Sequence, residues 1–395
     1  MIKGCILPWI HIHGNIAGKY KACCFSDGAI DDINFNLASS EDNILEEVWN
    51  GPGLRDLRLQ FLENKKPAQC VKHCYNKEDA KIKSPRMVYN ERFAKEEHRQ
   101  SITRQDGFLP ELPTYIDIRF GNICNFRCRT CGPMLSTRWD RDSKALNRKP
   151  IGVVDKWTNN DNLWAALPEI APSVTDLYFA GGEPLMQEGH YKLLDWLIEN
   201  NYTDISITYN TNLSVLTYKD YDLRKLWKNF REVKLWPSCD GFGRQGEYTR
   251  TEFNWGRFAA HVAEMQKHIT TISSVVSIYS IYSLPKLVVW AKKYGIEVHG
   301  TCLVSPEQQN IQILPKQEKL KINRYYKDFL ATRHAIFSKT QINNILDWLL
   351  YMNNGKTNLK LQKDFKVYNE KLATVRSDSS FVEVYPEYKE WYESL

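Results

Sequence analysis

Three cysteines, Cys124, Cys128 and Cys131, fall within eight residues of the stretch GNICNFRCRTCGPM (121–134), spaced C-x3-C-x2-C. Ten cysteines scattered at random along 395 positions would produce this spacing about 0.006 times. Thiols so close together in a chain without a secretory signature point to metal rather than to disulfides. A closed structural zinc site takes four ligands, commonly as paired C-x2-C knuckles, whereas this loop offers three thiols and no adjacent histidine. An iron–sulfur cube held at only three irons leaves its fourth iron open to a chelating ligand. Three ligands therefore imply a reactive centre.

The loop follows a strand-like run, TYIDIRF, and the chain then alternates: a helix through STRWDRDSKAL, the strand TDLYFAG, the helix HYKLLDWLIEN, the strand DISITYN and the helix YDLRKLWKNF. EVKLWPS, NWGRFAAHVAEMQKH, TISSVVSIY, LPKLVVWAKKYG and IEVHGTCLV continue the pattern. Six strands alternating with five helices predict an α/β fold with a parallel sheet and right-handed crossovers, curved into a partial barrel or left open. Ligands in such sheets sit at the C-terminal ends of the strands. The unusual motifs fall there: Gly181, Gly182, Glu183 and Pro184, then Asn210, Thr211 and Asn212, then Ser238 and Asp240, with Arg250 twelve residues after Ser238. Paired glycines let backbone approach a ligand closely, and Glu183 before Pro184 fixes a turn with an acceptor aimed outward. Taken singly, each is also readable as a turn, a loop cap or a surface ion pair.

Together these residues resemble the radical S-adenosylmethionine (SAM) superfamily, whose signature is C-x3-C-x2-C after the first strand of a six-stranded partial barrel. The resemblance implies a partial (β/α)6 barrel with a [4Fe-4S] cluster on Cys124, Cys128 and Cys131. SAM would chelate the open iron, and its reductive cleavage would yield a 5′-deoxyadenosyl radical. It further implies Gly181–Pro184 for the SAM ammonium, Asn210 and Asn212 in the third-strand polar cluster, Ser238 for a ribose hydroxyl, Asp240 as a loop cap and Arg250 for the SAM carboxylate. Thr130 stands where the family often has an aromatic residue, a departure that still lets its backbone make the family's adenine contact, and Leu213 stands where a glycine often follows the asparagine.

The first 85 residues read as a hairpin, LPWIHIHG returning as GKYKACCF, then loops and a short helix within NILEEVWNGPGLRDLRLQFLEN. Cys5, Cys23 or Cys24, Cys70 and Cys74 are enough thiols to close a site completely. This module resembles the SPASM and twitch modules, which carry an auxiliary [4Fe-4S] cluster for electron transfer or structure. Neighbours on a strand face opposite ways, so one of Cys23 and Cys24 is the ligand, and the resemblance, whose ligand usually follows G-x-x-x-x on the returning strand, implies Cys23. Here the module precedes the barrel instead of following it, and its last pair is C-x3-C instead of C-x2-C. A four-thiolate zinc site stays open as the alternative. His11, His13 and His73 read as solvated or packing residues, with His73 open as a replacement ligand, and Cys239 and Cys302 read as buried thiols, with a radical-proximal role open for Cys239 beside Ser238.

Four regions follow: the cysteine module at 1–85, a helical linker at 86–110, the barrel at 111–305 and a helical C-terminal extension at 306–395. Apolar residues make up 43% and charged ones 25%, as in ordinary folded domains, with twelve tryptophans on the high side. The net charge of +6 is scattered, with no run of like charge, so nucleic acid is not expected as a direct partner. MIKGCILPWIHIHG is too short an apolar run for a signal peptide and no stretch is long enough to span a membrane, so a cytoplasmic protein is expected. The expected partners are a reductant such as a flavodoxin or ferredoxin and a substrate, a peptide or protein side chain before a small metabolite. The competing class is a zinc-bearing nucleic-acid-binding or scaffold protein.

Overall fold

The computed structural model describes residues 2–26, 48–79, 81, 83–155 and 161–395. The first part of the helical stretch read at 43–64, residues 43–47, lies outside them. In chain order the main elements are β1 (His11–Gly14), β2 (Tyr20–Lys21), α1 (Pro52–Leu62), α2 (Pro85–Arg92), β3 (Tyr115–Ile118), β4 (Arg127–Cys128), α3 (Trp139–Ala145), α4 (Asp161–Ile170) and β5 (Asp176–Phe179). They continue with α5 (Glu188–Glu199), β6 (Ser206–Thr211), β7 (Glu232–Pro237), β8 (Arg250–Thr251), α6 (Trp255–Met265), β9 (Thr271–Val276) and α7 (Leu284–Lys292). After β10 (Glu297–Cys302) come the long helices α8 (Lys316–Arg333), α9 (Lys339–Asn354) and α10 (Leu359–Arg376). The fold is mixed α/β with a parallel sheet. Among the described residues no helix is long and apolar enough to cross a membrane.

Two compact units share these elements. The first comprises Met1–Ile123, Val153–Tyr209 and Lys219–Val233, and the second Cys124–Gly152, Asn210–Tyr218 and Lys234–Leu395. In the first unit β1 pairs antiparallel with β2 and parallel with β3, β3 with β5, and β5 with β6. The amino-terminal hairpin thus adds a strand to the sheet ahead of β3. Strand alternation divides the residues by face. Ile116, Ile118, Leu177 and Phe179 are buried on one side, and the first three line an apolar cavity of about 50 Å³ with Leu163, Leu167, Leu193 and Leu197 of α4 and α5. Helix α4, which the sequence reading omits, covers that face.

The other face is polar. His13 aligns with Asp117, Asp117 with Tyr178, and Tyr178 with Thr208 across four strands. His13 Nδ1 lies 2.9 Å from Asp117 Oδ2, and both side chains are buried. Burial opposes the Asp117 charge, yet His13 and Arg119 beside it hold the carboxyl well below its usual range. Burial also pushes His11 down to about 4. Both hairpin histidines are buried, so of the two readings made from the sequence the packing one describes them.

In the second unit Ser238 N donates to Thr211 O at 2.7 Å, bridges at Leu235–Ile269 and Ser238–Ser273 join β7 to β9, and β9 pairs parallel with β10 over six residues. Helix α9 packs on β10 through Trp348, whose Nε1 donates to Gly300 O. The aromatic tail is core: Phe381, Tyr385 and Tyr388 are buried, with Phe381 ringed by Phe365 and Tyr279.

Candidate functional site

The cysteine loop starts where β3 ends, and the first unit fixes that start. Gly182 N donates to Gly121 O and Glu183 N to Ile123 O, at 3.0 and 2.8 Å, and Gln187 Nε2 also donates to Ile123 O. A Cβ on Gly182 would run into the carbonyl oxygen of Ile123, and Gly181 has φ +121°, so this turn needs both glycines. The Glu183 side chain is fully buried and accepts from Leu185 N, capping the turn Pro184–Met186.

The three thiols themselves belong to the second unit. Cys124 Sγ accepts from Phe126 N at 3.5 Å and has Asn212 Nδ2 at 4.0 Å; Asn212 also donates to Asn125 Oδ1, and Asn125 donates to Ser214 Oγ. Cys128 lies in β4, paired with Arg250 in β8, and its carbonyl accepts from Trp139 Nε1 and from Cys131 N. Burial raises the Cys128 thiol, and burial followed by the neighbouring Cys128 pushes Cys131 up to about 12. Ligation would displace both protons.

Two arginines interleaved with the cysteines went unassigned in the sequence reading. Arg129 is fully buried; its Nε donates to Tyr248 O, Nη2 reaches Asp378 Oδ2 at 2.5 Å, and the guanidinium lies 3.7 Å from the Tyr248 ring centre. The Arg129 carbonyl accepts from Gln309 Nε2 and Tyr368 Oη. Arg127 Nη1 donates to Asp142 at 2.7 Å, and Asp142 accepts also from Arg376 Nη2 at 2.6 Å. The loop is therefore clamped by residues more than a hundred positions away in sequence. The only signal for this was the alternation in FRCRTC.

Beside Cys128 stands Arg250. Its Nη1 donates to Asp240 Oδ2 at 2.9 Å, Asp240 Oδ1 accepts from Val275 N, and Arg250 Nε is buried without a hydrogen-bond partner among the described residues. Burial works against its charge, but Cys128, Asp240 and Cys239 around it raise its pKa. Ser238 Oγ donates to Asn210 Oδ1 at 3.3 Å. Cys239 is fully buried, and Cys302 is partly so. The second unit thus brings together Cys124 with Asn212, Cys128 with Cys131 and Arg250, and Ser238 with Asn210. A buried cation with an unspent donor beside the thiols fits a ligand carboxylate.

In the first unit, the Cys5 loop is pinned by α2: Arg86 Nη1 and Asn90 Nδ2 both donate to Gly4 O, and Ile6 N donates to Asn90 Oδ1. Gly4 has φ +64°, and a Cβ there would overlap the Phe61 ring. Cys70 ends the short helix Ala68–Cys70, and Cys74 lies in the wide turn Val71–Tyr75. Burial raises the Cys5 thiol, which stands in the field of Cys70, Cys74 and Arg86. Burial likewise raises Cys23, which feels Cys24, Cys5 and Cys70. Cys24 turns elsewhere: burial and then Asp117 push it up to about 12, with Arg119 opposing. Cys5, Cys70 and Cys74 thus lie in the field of Arg86, and Cys23 in that of Cys5 and Cys70. Among the described residues, no three His, Cys, Asp or Glu side chains are gathered as ligands of one metal ion.

No family model and no curated protein matches the chain. Among solved structures it is similar to Streptococcus suis SuiB bound to S-adenosylmethionine, at 15% identity over 62% of this chain and 50% of that one, TM-score 0.36. SuiB bound to the precursor peptide SuiA is similar at 13% identity, over 74% and 59% of the two chains, with TM-score 0.39. SuiB itself is similar at 16%, over 72% and 63%, with TM-score 0.37. The chain thus spans between half and two thirds of the SuiB length it matches. These likenesses are distant, and the cysteine loop and its neighbours carry the functional assignment.

Proposed function

We propose that this chain is a radical SAM enzyme of the SPASM or twitch type, a partial (β/α)6 barrel at 111–305 preceded by an auxiliary module at 1–85. The linker is 86–110 and the helical extension 306–395. Cys124, Cys128 and Cys131 would hold the [4Fe-4S] cluster that binds SAM, and Cys5, Cys23, Cys70 and Cys74 an auxiliary [4Fe-4S] cluster. When bound, cluster and SAM supply a 5′-deoxyadenosyl radical able to abstract an unactivated hydrogen from a substrate.

One observation carries this reading: a loop of three thiols with Arg250 seated against Cys128, its Nε unspent and its other edge fixed by Asp240. Arg250 receives the SAM carboxylate, and Asp240 orients it. Gly181–Pro184 offer backbone groups to the ammonium, Thr130 its backbone to adenine, and Ser238, Asn210 and Asn212 hydrogen-bond the sugar side. A peptide or protein side chain is the substrate, a flavodoxin or ferredoxin the electron donor, and the cytoplasm the site of action.

Anaerobic reconstitution tests the reading. The protein should carry about eight irons per chain, as two cubane clusters require, and release 5′-deoxyadenosine from SAM under a strong reductant. Cys124→Ala should abolish that product. Cys70→Ala should lower iron by about half while sparing some SAM cleavage. Equal loss in both variants, or bound zinc in place of iron, would overturn the division between the two sites.

A further inference from the structure

The second unit carries a groove of about 620 Å³ between α7 and α8, away from the thiols, within the usual size range of ligand pockets. Each helix gives it one face. On α7 and its first following residue, Lys286, Val289, Trp290 and Lys293 recur at helical spacing; on α8, Tyr325, Phe329 and Arg333 do the same. The stripe from Lys286 to Lys293 is about 10 Å long at 1.5 Å per residue. Pro285 and Phe329 are buried beneath, while Val289, Trp290 and Tyr325 stay partly exposed.

Trp290 is held rigidly for such a position. Its ring packs edge-on against Trp255 at 4.8 Å and against Tyr294 at 5.3 Å, leaving an aromatic surface with little rotamer freedom to lose. Charge at the rim is unbalanced. Lys286 and Lys293 form no ion pair among the described residues, and Arg333 donates to Thr332 Oγ1 and lies over the Phe329 ring. Asp328 is the single acid among the lining residues.

We propose that this groove docks an acidic peptide segment, an apolar or aromatic side chain seated against Trp290 and Phe329 and flanking carboxylates on Lys286, Lys293 and Arg333. Three cations over an apolar floor suit a peptide with spaced carboxylates; a nucleic-acid backbone asks for a continuous track of cations. One lining residue is close in sequence to the candidate site. Phe242 lines it, two residues beyond Asp240, and Phe242 N is held by Ser283 Oγ at 2.8 Å, immediately before α7. Docking as such stands apart from the proposed chemistry; naming the docked peptide as the substrate rests on that reading.

The test reads binding, with the full chain. A short fluorescein-labelled peptide alternating Glu with Phe and Leu is titrated by anisotropy against its Gln counterpart and against a labelled oligo-dT. Saturable binding of the Glu peptide, weakened about tenfold by Lys286→Glu with Lys293→Glu and comparably by Trp290→Ala, is the expected result. The reversals lie on the surface, and circular dichroism checks that the variants are folded. Equal binding of the Gln peptide, indifference to the variants, or tighter binding of oligo-dT would overturn the proposal. So would a dimer, seen by sedimentation, that the charge reversals dissociate. Because no turnover is read, absence of SAM cleavage would leave the docking result standing, and failed docking beside intact cleavage would count against the groove alone.

Discussion

Asp142 offers the sharpest test of how the cysteine loop is held. Its side chain is fully buried, one oxygen 2.7 Å from Arg127 Nη1 and the other 2.6 Å from Arg376 Nη2. Arg376 is itself fully buried and lies over the Trp139 ring, 4.8 Å from its centre, while Trp139 donates to the Cys128 carbonyl. Asp142→Asn keeps the shape and removes the charge, leaving the buried Arg376 guanidinium stripped of its acid and Arg127 with Glu252, 3.4 Å from its Nε and half exposed. Breaking a buried pair in this way costs about 3–5 kcal/mol, because the surviving charge is left uncompensated. For a folded unit of this size, each kcal/mol moves the melting midpoint by about 2–4 °C, so a drop of roughly 6–20 °C is expected.

Thermal unfolding followed by circular dichroism reads this directly. Glu63→Gln, which breaks an ion pair with both partners more than half exposed, is the control and should leave the midpoint where it was. Replacing Asp142 by Leu together with Arg127 and Arg376 by Met should recover most of the loss, since well-packed apolar groups often replace buried ion networks without penalty. A midpoint for Asp142→Asn no lower than that of the control would refute the claim that this network clamps β4. A full loss with no recovery in the apolar variant would instead mean that Arg376 matters through its stacking on Trp139.

Arg250→Gln should weaken SAM binding by about 30-fold or more, the loss of one charge-assisted contact, with equilibrium dialysis as the measurement; unchanged affinity would remove Arg250 from the carboxylate role. Gly182→Ala should disturb the start of the cysteine loop, because the added methyl meets the Ile123 carbonyl, and iron retained by Cys124, Cys128 and Cys131 should fall when read in a Cys70→Ala background. For pH, burial takes His11 from 6.5 to about 4, so the unfolded chain binds the extra proton between those values. Stability from His11 is therefore present above about 6.5 and lost as pH falls toward 4, and a urea midpoint series should show that slope flattened in His11→Phe.

The elements were legible because their signals are local. Strands such as DISITYN and helices such as HYKLLDWLIEN declare themselves by period, and β6 and α5 lie where those runs lie. Helix α4 was missed, its run carrying Pro168 inside the helix. The hairpin was read, but its destination was not: that β1 pairs with β3 is a contact across a hundred residues, and parallel pairing leaves no turn signature. The polar face shows the same limit. His13 and Asp117 are unremarkable in a string, and they become a buried pair only when the register sets them side by side.

The cations around the thiols follow a common logic in both units. Thiolates bound to iron are negative, and taking negative charge out of water is costly unless a counter-charge goes with it. Arginine suits that place: it stays charged when buried, and its flat fork can be fixed along one edge while another faces the ligand. Arg250 does this beside Cys128 with Asp240 on its fixed edge, whereas Arg86, beside Cys5 and Cys74 and over Tyr75, has Nε and Nη2 on Glu78 and Nη1 on the Gly4 carbonyl and offers its charge rather than a free edge. At Arg250 the acid partner is half the device, since it decides which nitrogens remain for a ligand. A lysine in either position would keep the charge and lose the orientation, so Arg250→Lys should fall between the native protein and Arg250→Gln in SAM affinity; equality with the native protein would show that charge alone was needed there.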